Sequence, residues 1–280
     1  MRLSVQKTLK MYVGGAFIRS ESGRIVGYTN EQGIHMNVPR ASRKDLRDTM
    51  EKARGALGGW AGRTAYNRGQ ILYRLAEMLE SRGETLPTSE ADVRAAIDRA
   101  VHHAGWTDKI TAILSSLNPV GMAYVNYSMV RPLGVVFAVP DAKDGLLGMI
   151  EAICAPLVMS DTVVMMVPTE SAELAIALAE AIAVSDVPGG VINILTGDVE
   201  EVLKVANRHD DLDGLFLAKG AISDELMVDC ELEAARVMRR ICVIKGAQKP
   251  CTPTQMAGLS EIQTVWMSSG GNMPAGGAAY

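Results

Sequence analysis

Several features are scarce in this sequence, and each scarcity argues against a class of protein. The 28 Lys and Arg residues nearly balance the 32 Asp and Glu residues, which leaves a net charge of −4. That balance, without a basic cluster, argues against a nucleic-acid partner. The apolar runs fall short of the roughly 20 residues of a membrane span, and MRLSVQKTLK at the N-terminus lacks the apolar core of a signal peptide. We therefore expect neither a nucleic-acid nor a membrane partner.

Cysteine and histidine are also few. Four scattered cysteines are typical of free thiols in a reducing compartment, so we expect a cytoplasmic protein. The four histidines have no metal-ligand spacing with Cys or Asp, and we expect no metal site. No G-x-G-x-x-G follows a strand-like run, and no Ser-His-Asp grouping has a supporting nucleophile elbow.

The second half of the chain shows a regular alternation of apolar strands and helices. The predicted elements are strand 134–139 and helix 145–159, strand 162–167 and helix 171–184, strand 191–195 and helix 198–208, strand 214–218 and helix 223–239, and strand 241–244. Five apolar strands separated by helices predict a parallel, doubly wound sheet. Such sheets bind ligands where a strand turns into a helix, and the stretch from Pro132 to Leu147 has this form.

The first part of the chain predicts a β-prone lead-in followed by helices. Short β-prone runs around Gly14 and Gly15 predict a hairpin or an extended lead-in between residues 11 and 40. Ser42 followed three residues later by Asp45 is typical of a capped helix start. Three helices are predicted: from Ser42 to Gly58-Gly59, from near Thr64 to Gly83, and from Ser89 to Leu117 with a kink or break near Gly105.

Several of these stretches together resemble the aldehyde dehydrogenase superfamily. PLGVVFAVP resembles its first Rossmann strand, and DTVVMMVPTES resembles a strand and loop that usually read Asn-Thr-Val-Val and then Lys-Pro-Ser-Glu. DVPGGVINILTGD resembles the family's Pro-Gly-Val-Asn and Thr-Gly segment, and MYVGGAFIRSESG with the following helices resembles its N-terminal region. The resemblance covers most of residues 8–245. It implies an α/β fold, with an aldehyde-dehydrogenase-like Rossmann-type parallel sheet, flanking helices and a small oligomerisation β segment.

The C-terminal stretch SEIQTVWMSSG resembles the family's final oligomerisation strand, which normally follows a whole catalytic domain. Only a short segment separates Pro250 from that strand here. The resemblance therefore implies a shortened member without the catalytic domain, similar to the diverged half of the tandem, family-16-type aldehyde dehydrogenases. It divides the chain into an N-terminal hairpin and helices of the cofactor-type domain (1–117), oligomerisation strands (118–131 and 252–269), a Rossmann-like sheet (132–251) and a flexible tail (270–280).

The catalytic groups that the resemblance implies have no counterpart at the positions that can be compared. The family's oxyanion-binding Asn follows Pro-Trp after the first strand, and Ala142 stands there. The family's general base is a Glu, and Ile244 stands in its place. Neither side chain can donate to an oxyanion or accept a proton. We therefore expect no catalytic residues.

The cysteines are the remaining candidates for a nucleophile. Cys154, Cys230 and Cys242 fall in a helix, a helix and a strand, and are expected in the core. Cys251 falls in a predicted exposed loop beside Lys249, where a cation would lower the thiol pKa, although no His is adjacent.

The resemblance leaves two candidate cofactor-binding residues. The family's adenosine-ribose Lys is replaced by Met166 or Val167, depending on the alignment. Glu170 matches the Glu of Pro-Ser-Glu and either accepts ribose hydroxyls or is a solvated charge at a helix N-terminus. Lys219 stands in the family's phosphate loop and could meet a phosphate as a point charge. We expect no cofactor, with NAD or NADP as the alternative.

Two functions remain open. The first is a non-catalytic subunit that assembles with itself or with a full-length aldehyde dehydrogenase through Met122–Arg131 and Glu261–Ser268, two segments that pair in the family. The second is an NAD(P)-dependent aldehyde oxidoreductase whose activity is residual or is completed by a partner's catalytic domain. A thiol-dependent activity at Cys251 is a third option.

Overall fold

The computed structural model describes residues 7–121 and 124–268, and this part of the chain begins with short strands. They are β1 (Lys7–Thr8), β2 (Met11–Val13), β3 (Ala16–Ile18), β4 (Ile25–Thr29) and β5 (His35–Pro39). β2 and β3 form an antiparallel hairpin, one of the two predicted forms of the lead-in. β5 pairs with β4 antiparallel and with β1 parallel in a separate three-stranded sheet.

Helices follow these strands: α1 (Arg43–Ala61), α2 (Ala65–Arg82), α3 (Glu90–Ala104) and α4 (Ile110–Leu114). The predicted capping box is present at α1, where Asp45 N donates to Ser42 Oγ (3.1 Å) and Ser42 N donates to Asp45 Oδ2 (2.8 Å). The prediction that the third helical pattern reaches Leu117 is wrong. Gly105 caps α3, Ser115 is extended, and Leu117 lies in strand β6 (Ser116–Asn118).

The second half contains the predicted alternation. Its elements are β7 (Tyr124–Pro132), β8 (Val135–Val139), α5 (Gly145–Val158), β9 (Thr162–Pro168), α6 (Ala172–Ile182), β10 (Ile192–Gly197), α7 (Val199–Ala206), β11 (Gly214–Ala218), α8 (Asp224–Val237), β12 (Arg240–Ile244), α9 (Pro253–Ala257) and β13 (Ser260–Ser268). The central sheet has the order β12-β11-β8-β9-β10-β2-β3. Its first five strands are parallel, as predicted, and the β2–β3 hairpin extends the sheet beyond β10.

The central sheet is covered on both faces, which explains why its strands are continuous apolar runs. Along β8, Val136 and Ala138 pack in one core cluster with residues of α2, α3, α5 and α6. Val135 and Phe137 pack in the other cluster with residues of α1, α7 and α8. Helix α5 is buried from Leu146 to its end, although it contains Glu151.

A third, smaller sheet has the order β13-β7-β6. β13 pairs antiparallel with β7 from Ser260 opposite Pro132 to Ser268 opposite Tyr124. The two segments expected to pair therefore do so; Met122 and the predicted tail 270–280 lie outside the described residues. The proposed division into domains stays a prediction. Within the described ranges, no helix is long and apolar enough to cross a membrane.

Asp161, at the amino end of β9, is a fully buried carboxyl group in the sheet. Its Oδ1 accepts a hydrogen bond from Gly134 N (2.8 Å), whereas Oδ2 has no hydrogen-bond partner among the described residues. Burial raises the pKa of Asp161 well above its ordinary value, and the nearby Asp213 raises it further. The family resemblance places an Asn at this position.

We predict that Asp161→Asn stabilises the protein at neutral pH. A raised folded-state pKa means that wild type loses stability as the pH rises above the unfolded value of about 3.9, by up to ~1.4 kcal/mol per pH unit, because the unfolded Asp ionises first. The amide cannot ionise. Urea unfolding at pH 4 and pH 7 should therefore show that the free energy of unfolding of the variant, relative to that of wild type, is larger at pH 7. Asp210→Asn, at an exposed position, is the control. Parallel pH profiles for Asp161→Asn and wild type would contradict the prediction.

Candidate functional site

A cleft of about 520 Å³ opens at the carboxyl ends of the parallel strands. Its walls include Pro140, Pro168, Gly197 and Gly220, which stand at or just beyond the ends of β8, β9, β10 and β11. This is the edge at which open α/β sheets bind ligands. The cleft is therefore the candidate functional site.

The lining of the cleft is predominantly acidic. Its charged residues are Arg40, Asp141, Glu170, Asp198 and Glu200. Arg40 is engaged within the chain, because its guanidinium pairs with Asp198 (3.0 Å) and with Glu201. Hydrogen bonds from Arg24 and Arg40 lower the pKa of Glu201 to about 2. The one arginine of the cleft is therefore already matched by carboxylates.

The two predicted cofactor-binding residues lie at this edge of the sheet. Glu170 is exposed on the cleft wall, in a 3₁₀ turn that precedes α6. Lys219 is exposed directly after β11, but it is not among the residues that line the cleft. Met166 and Val167 are both fully buried in β9, in opposite core clusters. A role for Glu170 or Lys219 in cofactor binding stays a prediction.

The amino end of α5 is occupied by a carboxylate of the same chain. Asp92, in α3, accepts hydrogen bonds from Leu146 N (2.8 Å) and Leu147 N (3.1 Å). Gly145 permits this approach, because it has a φ of +55° and a Cβ there would lie 2.6 Å from Asp92 Oδ2. The first free amides of a helix attract anions. Asp92 satisfies two of them without a ligand.

The positions compared with the family's catalytic groups carry no reactive side chain. Ala142 is exposed in a 3₁₀ turn at the cleft, and Ile244 is buried at the end of β12. Among the described residues, no group of three or more His, Cys, Asp or Glu side chains is arranged to hold a metal ion. We find no acid, base or nucleophile in the cleft at the positions that the resemblance implies.

The segment that follows β12 is anchored to the helices of the sheet edge. Ala247 N donates to Asp144 Oδ2 (2.8 Å), and Cys251 N donates to Glu151 Oε1 (2.9 Å). Arg99 Nη2 adds a bond to Gln248 O (3.4 Å). Residues 245–252 are thus fixed against α3 and α5.

Glu151 is the centre of a buried charged cluster. Its side chain is fully buried and pairs with Arg99 of α3, whose side chain is 7% exposed. His103 Nε2 lies 3.2 Å from Glu151 Oε1, outside the alignment of a hydrogen bond. Burial opposes ionisation of Glu151, but His103 and Arg99 outweigh it and lower the pKa of this carboxyl to about 2.

Sequence reasoning missed Asp92, Arg99, His103 and Glu151. A signal existed for Glu151, since a single carboxylate within an otherwise apolar helix requires a buried partner. The adjacent residues His102 and His103 have different environments on α3. His103 is buried beside Glu151, whereas His102 is exposed and accepts from Trp106 Nε1 (3.0 Å).

The expectation that Cys251 lies in an exposed loop is wrong. Cys251 is 3% exposed, because residues 245–252 fold against the core. Burial, together with the nearby Glu151, raises the pKa of the Cys251 thiol far above its ordinary value. Cys154, Cys230 and Cys242 are buried as predicted, and burial raises the pKa of Cys230 and of Cys242 to about 11. None of these thiols has the lowered pKa of a catalytic cysteine.

We predict that the native protein reacts slowly with Ellman's reagent at pH 8. All four thiols are buried and protonated, so rapid labelling should begin only when urea unfolds the chain. The absorbance of released thionitrobenzoate gives both rates. One equivalent of fast-reacting thiol in wild type that disappears in Cys251→Ser would contradict the burial of Cys251.

We predict that Arg99→Met destabilises the protein by about 3–5 kcal/mol, because it leaves the buried Glu151 carboxylate without its arginine partner. Glu151→Met combined with Arg99→Met should recover much of this loss, since no unpaired charge remains. Urea unfolding followed by circular dichroism measures both. Arg94→Met on the same helix is the matched control, because the Arg94–Glu90 pair is exposed.

The stability that Glu151 contributes depends on pH, because the pKa of its carboxyl group is lowered in the folded protein. Its contribution to stability should be complete above the ordinary value of 4.5 and lost as the pH falls towards 2. A cost for Arg99→Met no larger than that for Arg94→Met would contradict the assigned role of the buried pair.

Comparisons with known proteins agree with the fold described above. A protein provisionally named aldehyde dehydrogenase DhaS, from Bacillus subtilis, is 28% identical over 264 residues, which cover 88% of this chain and 52% of that protein. Mouse cytosolic 10-formyltetrahydrofolate dehydrogenase is 25% identical over 290 residues, which cover 96% of this chain and 32% of that protein. The chain thus spans half, or less, of the length of these relatives.

A solved structure shows the same fold. The NAD+ complex of an aldehyde dehydrogenase from Bacillus cereus superimposes with a TM-score of 0.77 at 22% identity, over 85% of this chain and 50% of that one. The family model described as "Aldehyde dehydrogenase family" matches residues 22–221. That match covers strands β4 to β11 and helices α1 to α7, including four of the five parallel strands, and the chain therefore belongs to the aldehyde dehydrogenase family.

Proposed function

We propose that this chain is a non-catalytic aldehyde-dehydrogenase-like subunit that assembles with itself or with a full-length aldehyde dehydrogenase. The observation that carries the proposal is the β13-β7-β6 sheet. It is built over nine residues of β13, yet much of its apolar surface is not covered by the described chain. The cytoplasm, as the reducing compartment that suits four free cysteines, belongs to the same proposal.

The exposed apolar side chains of this sheet support an interface. Trp266 is 62% exposed, and its ring packs edge-on against that of Tyr124 with centroids 6.3 Å apart. Ile262 and Met267 on the same strand are 48% and 51% exposed, and Leu117 on β6 is 76% exposed. Ile262 and Trp266 lie on one face of the sheet, and Met267 and Leu117 lie on the other. Exposed apolar surface of this kind is typical of interaction sites.

The position of β13 supports strand pairing as the mode of assembly. It forms one edge of its sheet, so along residues 261–267 its outer side does not pair with another strand of the described chain. A long, exposed edge strand readily joins a strand of another chain. Helix α8 adds a second apolar surface, where Val228 and Leu232, one turn apart, are 54% and 66% exposed.

The cleft supports the non-catalytic part of the proposal. Ala142 and Ile244 replace the donor and the base that the family resemblance implies, and Cys251 is buried. Removal of one oxyanion donor alone costs roughly 100- to 1,000-fold in rate. The replacement of the donor and the base, together with the burial of Cys251, supports a non-catalytic role for this chain.

The alternative function is NAD(P)-dependent aldehyde oxidoreductase activity, residual or completed by a partner's catalytic domain. Two observations favour it: the retained strand order, and Glu170 on the cleft wall. The Bacillus cereus neighbour was solved with NAD+, which makes the same cofactor a candidate for this chain. Cofactor titration separates this alternative from a purely structural subunit.

We predict that Trp266→Glu shifts the protein from an oligomer to a monomer, because a charge at the centre of an apolar interface remains desolvated. Size-exclusion chromatography with light scattering gives the mass. Ile25→Glu is the matched control, since Ile25 is 56% exposed on a different sheet. A strictly monomeric wild-type protein, both alone and mixed with full-length aldehyde dehydrogenases of its own cell, would refute assembly.

A further inference from the structure

We infer that carboxylates of this chain occupy the helix N-termini and make the cleft negatively charged, so that the cleft binds neither NAD nor NADP. The inference concerns ligand binding and is independent of how the chain assembles. It rests on two helix N-termini, on the charge of the cleft lining, and on the replacement of the family's ribose-binding lysine at the end of β9.

The amino end of α8 is the first of these features. Phosphates bind at helix N-termini because free backbone amides and the helix dipole attract negative charge. Here Ser223 N, at the N-cap, donates to Glu200 Oε1 (3.3 Å), and the first turn carries Asp224 and Glu225. Lys204, 3.9 Å from Glu200 Oε2, offsets part of this charge. A phosphate at this end of the helix would meet three carboxylates.

The second feature is the amino end of α5. Leu146 N and Leu147 N both donate to the Asp92 carboxylate, which also accepts from Thr88 Oγ1 (2.8 Å). Asp92 is held by α3, which packs along α5, so the carboxylate is part of the folded structure. An anionic group of a ligand would have to displace it from three hydrogen bonds.

The lining of the cleft carries a net negative charge and therefore repels anions. Its lining contains four carboxylates, at Asp141, Glu170, Asp198 and Glu200, against the single guanidinium of Arg40. Arg40 does not offset this charge for a ligand, since Asp198 and Glu201 already pair with it. Lys219 stands beside the cleft with its side chain in solvent. One exposed ammonium group does not outweigh three surplus carboxylates.

The end of β9 lacks the lysine that the family resemblance implies for the sugar. Val167 and Met166 are apolar and fully buried, so neither binds a ribose hydroxyl. Glu170 remains as an acceptor, but without a neighbouring cation its carboxylate adds to the negative charge of the cleft. The residues present therefore do not fit the dinucleotide that the family implies.

Isothermal titration of the full chain with NAD+ and with NADP+ tests the inference. We expect wild type to give no saturable heat up to the order of 1 mM nucleotide, which corresponds to a binding free energy weaker than about −4 kcal/mol. The variant Asp198→Asn with Glu200→Gln keeps the size of both side chains and one acceptor oxygen on each, but removes two charges from the cleft. It should bind NAD+ at least about tenfold more tightly than wild type.

Asp210→Asn with Glu231→Gln is the matched control. Both positions are exposed and outside the cleft lining, and the net-charge change is the same. This control variant should bind NAD+ no more tightly than wild type does. Saturable binding of either nucleotide to wild type below 1 mM, or a cleft variant that gains no more than the control, would overturn the inference. Light scattering on the same samples reports assembly separately, so failure of one proposal is not mistaken for failure of the other.

Discussion

The buried carboxylate of Glu151 connects three parts of the chain that are far apart in sequence. It lies in the apolar helix α5, pairs with Arg99 of α3, and accepts a hydrogen bond from Cys251 N in the segment after β12. A buried carboxylate without these partners would carry a large desolvation penalty. The positions of α3, α5 and residues 245–252 are therefore coupled, and the edge of the sheet is built around this coupling.

In this arrangement, the edge of the sheet is held by contacts within the chain. The parallel strands and covering helices form the usual crevice at their carboxyl ends. Around that crevice, Asp92 bonds to the amides at the start of α5, Glu200 accepts from the N-cap of α8, and residues 245–252 close against the core. Groups that could meet a ligand elsewhere in such folds are satisfied here by side chains of the same molecule.

The β13-β7-β6 sheet differs from the central sheet in how much of its apolar surface is covered. The central sheet buries its strands on both faces, whereas β13 leaves Ile262, Trp266 and Met267 about half exposed or more. A sheet of three strands with little of its apolar surface covered gains less from burial than the central one. This contrast supports the proposal that the chain assembles through the small sheet.

The sequence by itself determined the architecture of the parallel sheet, because runs such as Val135–Val139 are apolar at every position and so require cover on both faces. It also determined the start of α1, since the Ser42–Asp45 capping box is a local interaction, and the lack of a donor and base at Ala142 and Ile244. Tertiary structure alone decided the burial of Cys251, the Asp92 contacts at α5, and the position of Leu117 in a strand. The helical pattern had included Leu117 in a helix. The first two depend on segments distant in sequence: Glu151 and Cys251 are 100 residues apart, and Asp92 and Leu146 are 54 apart. Leu117 instead pairs with Tyr127 of the neighbouring strand β7. Periodicity and capping rules describe neighbours along the chain, whereas the desolvation of a charge or a thiol depends on what the completed fold places against it.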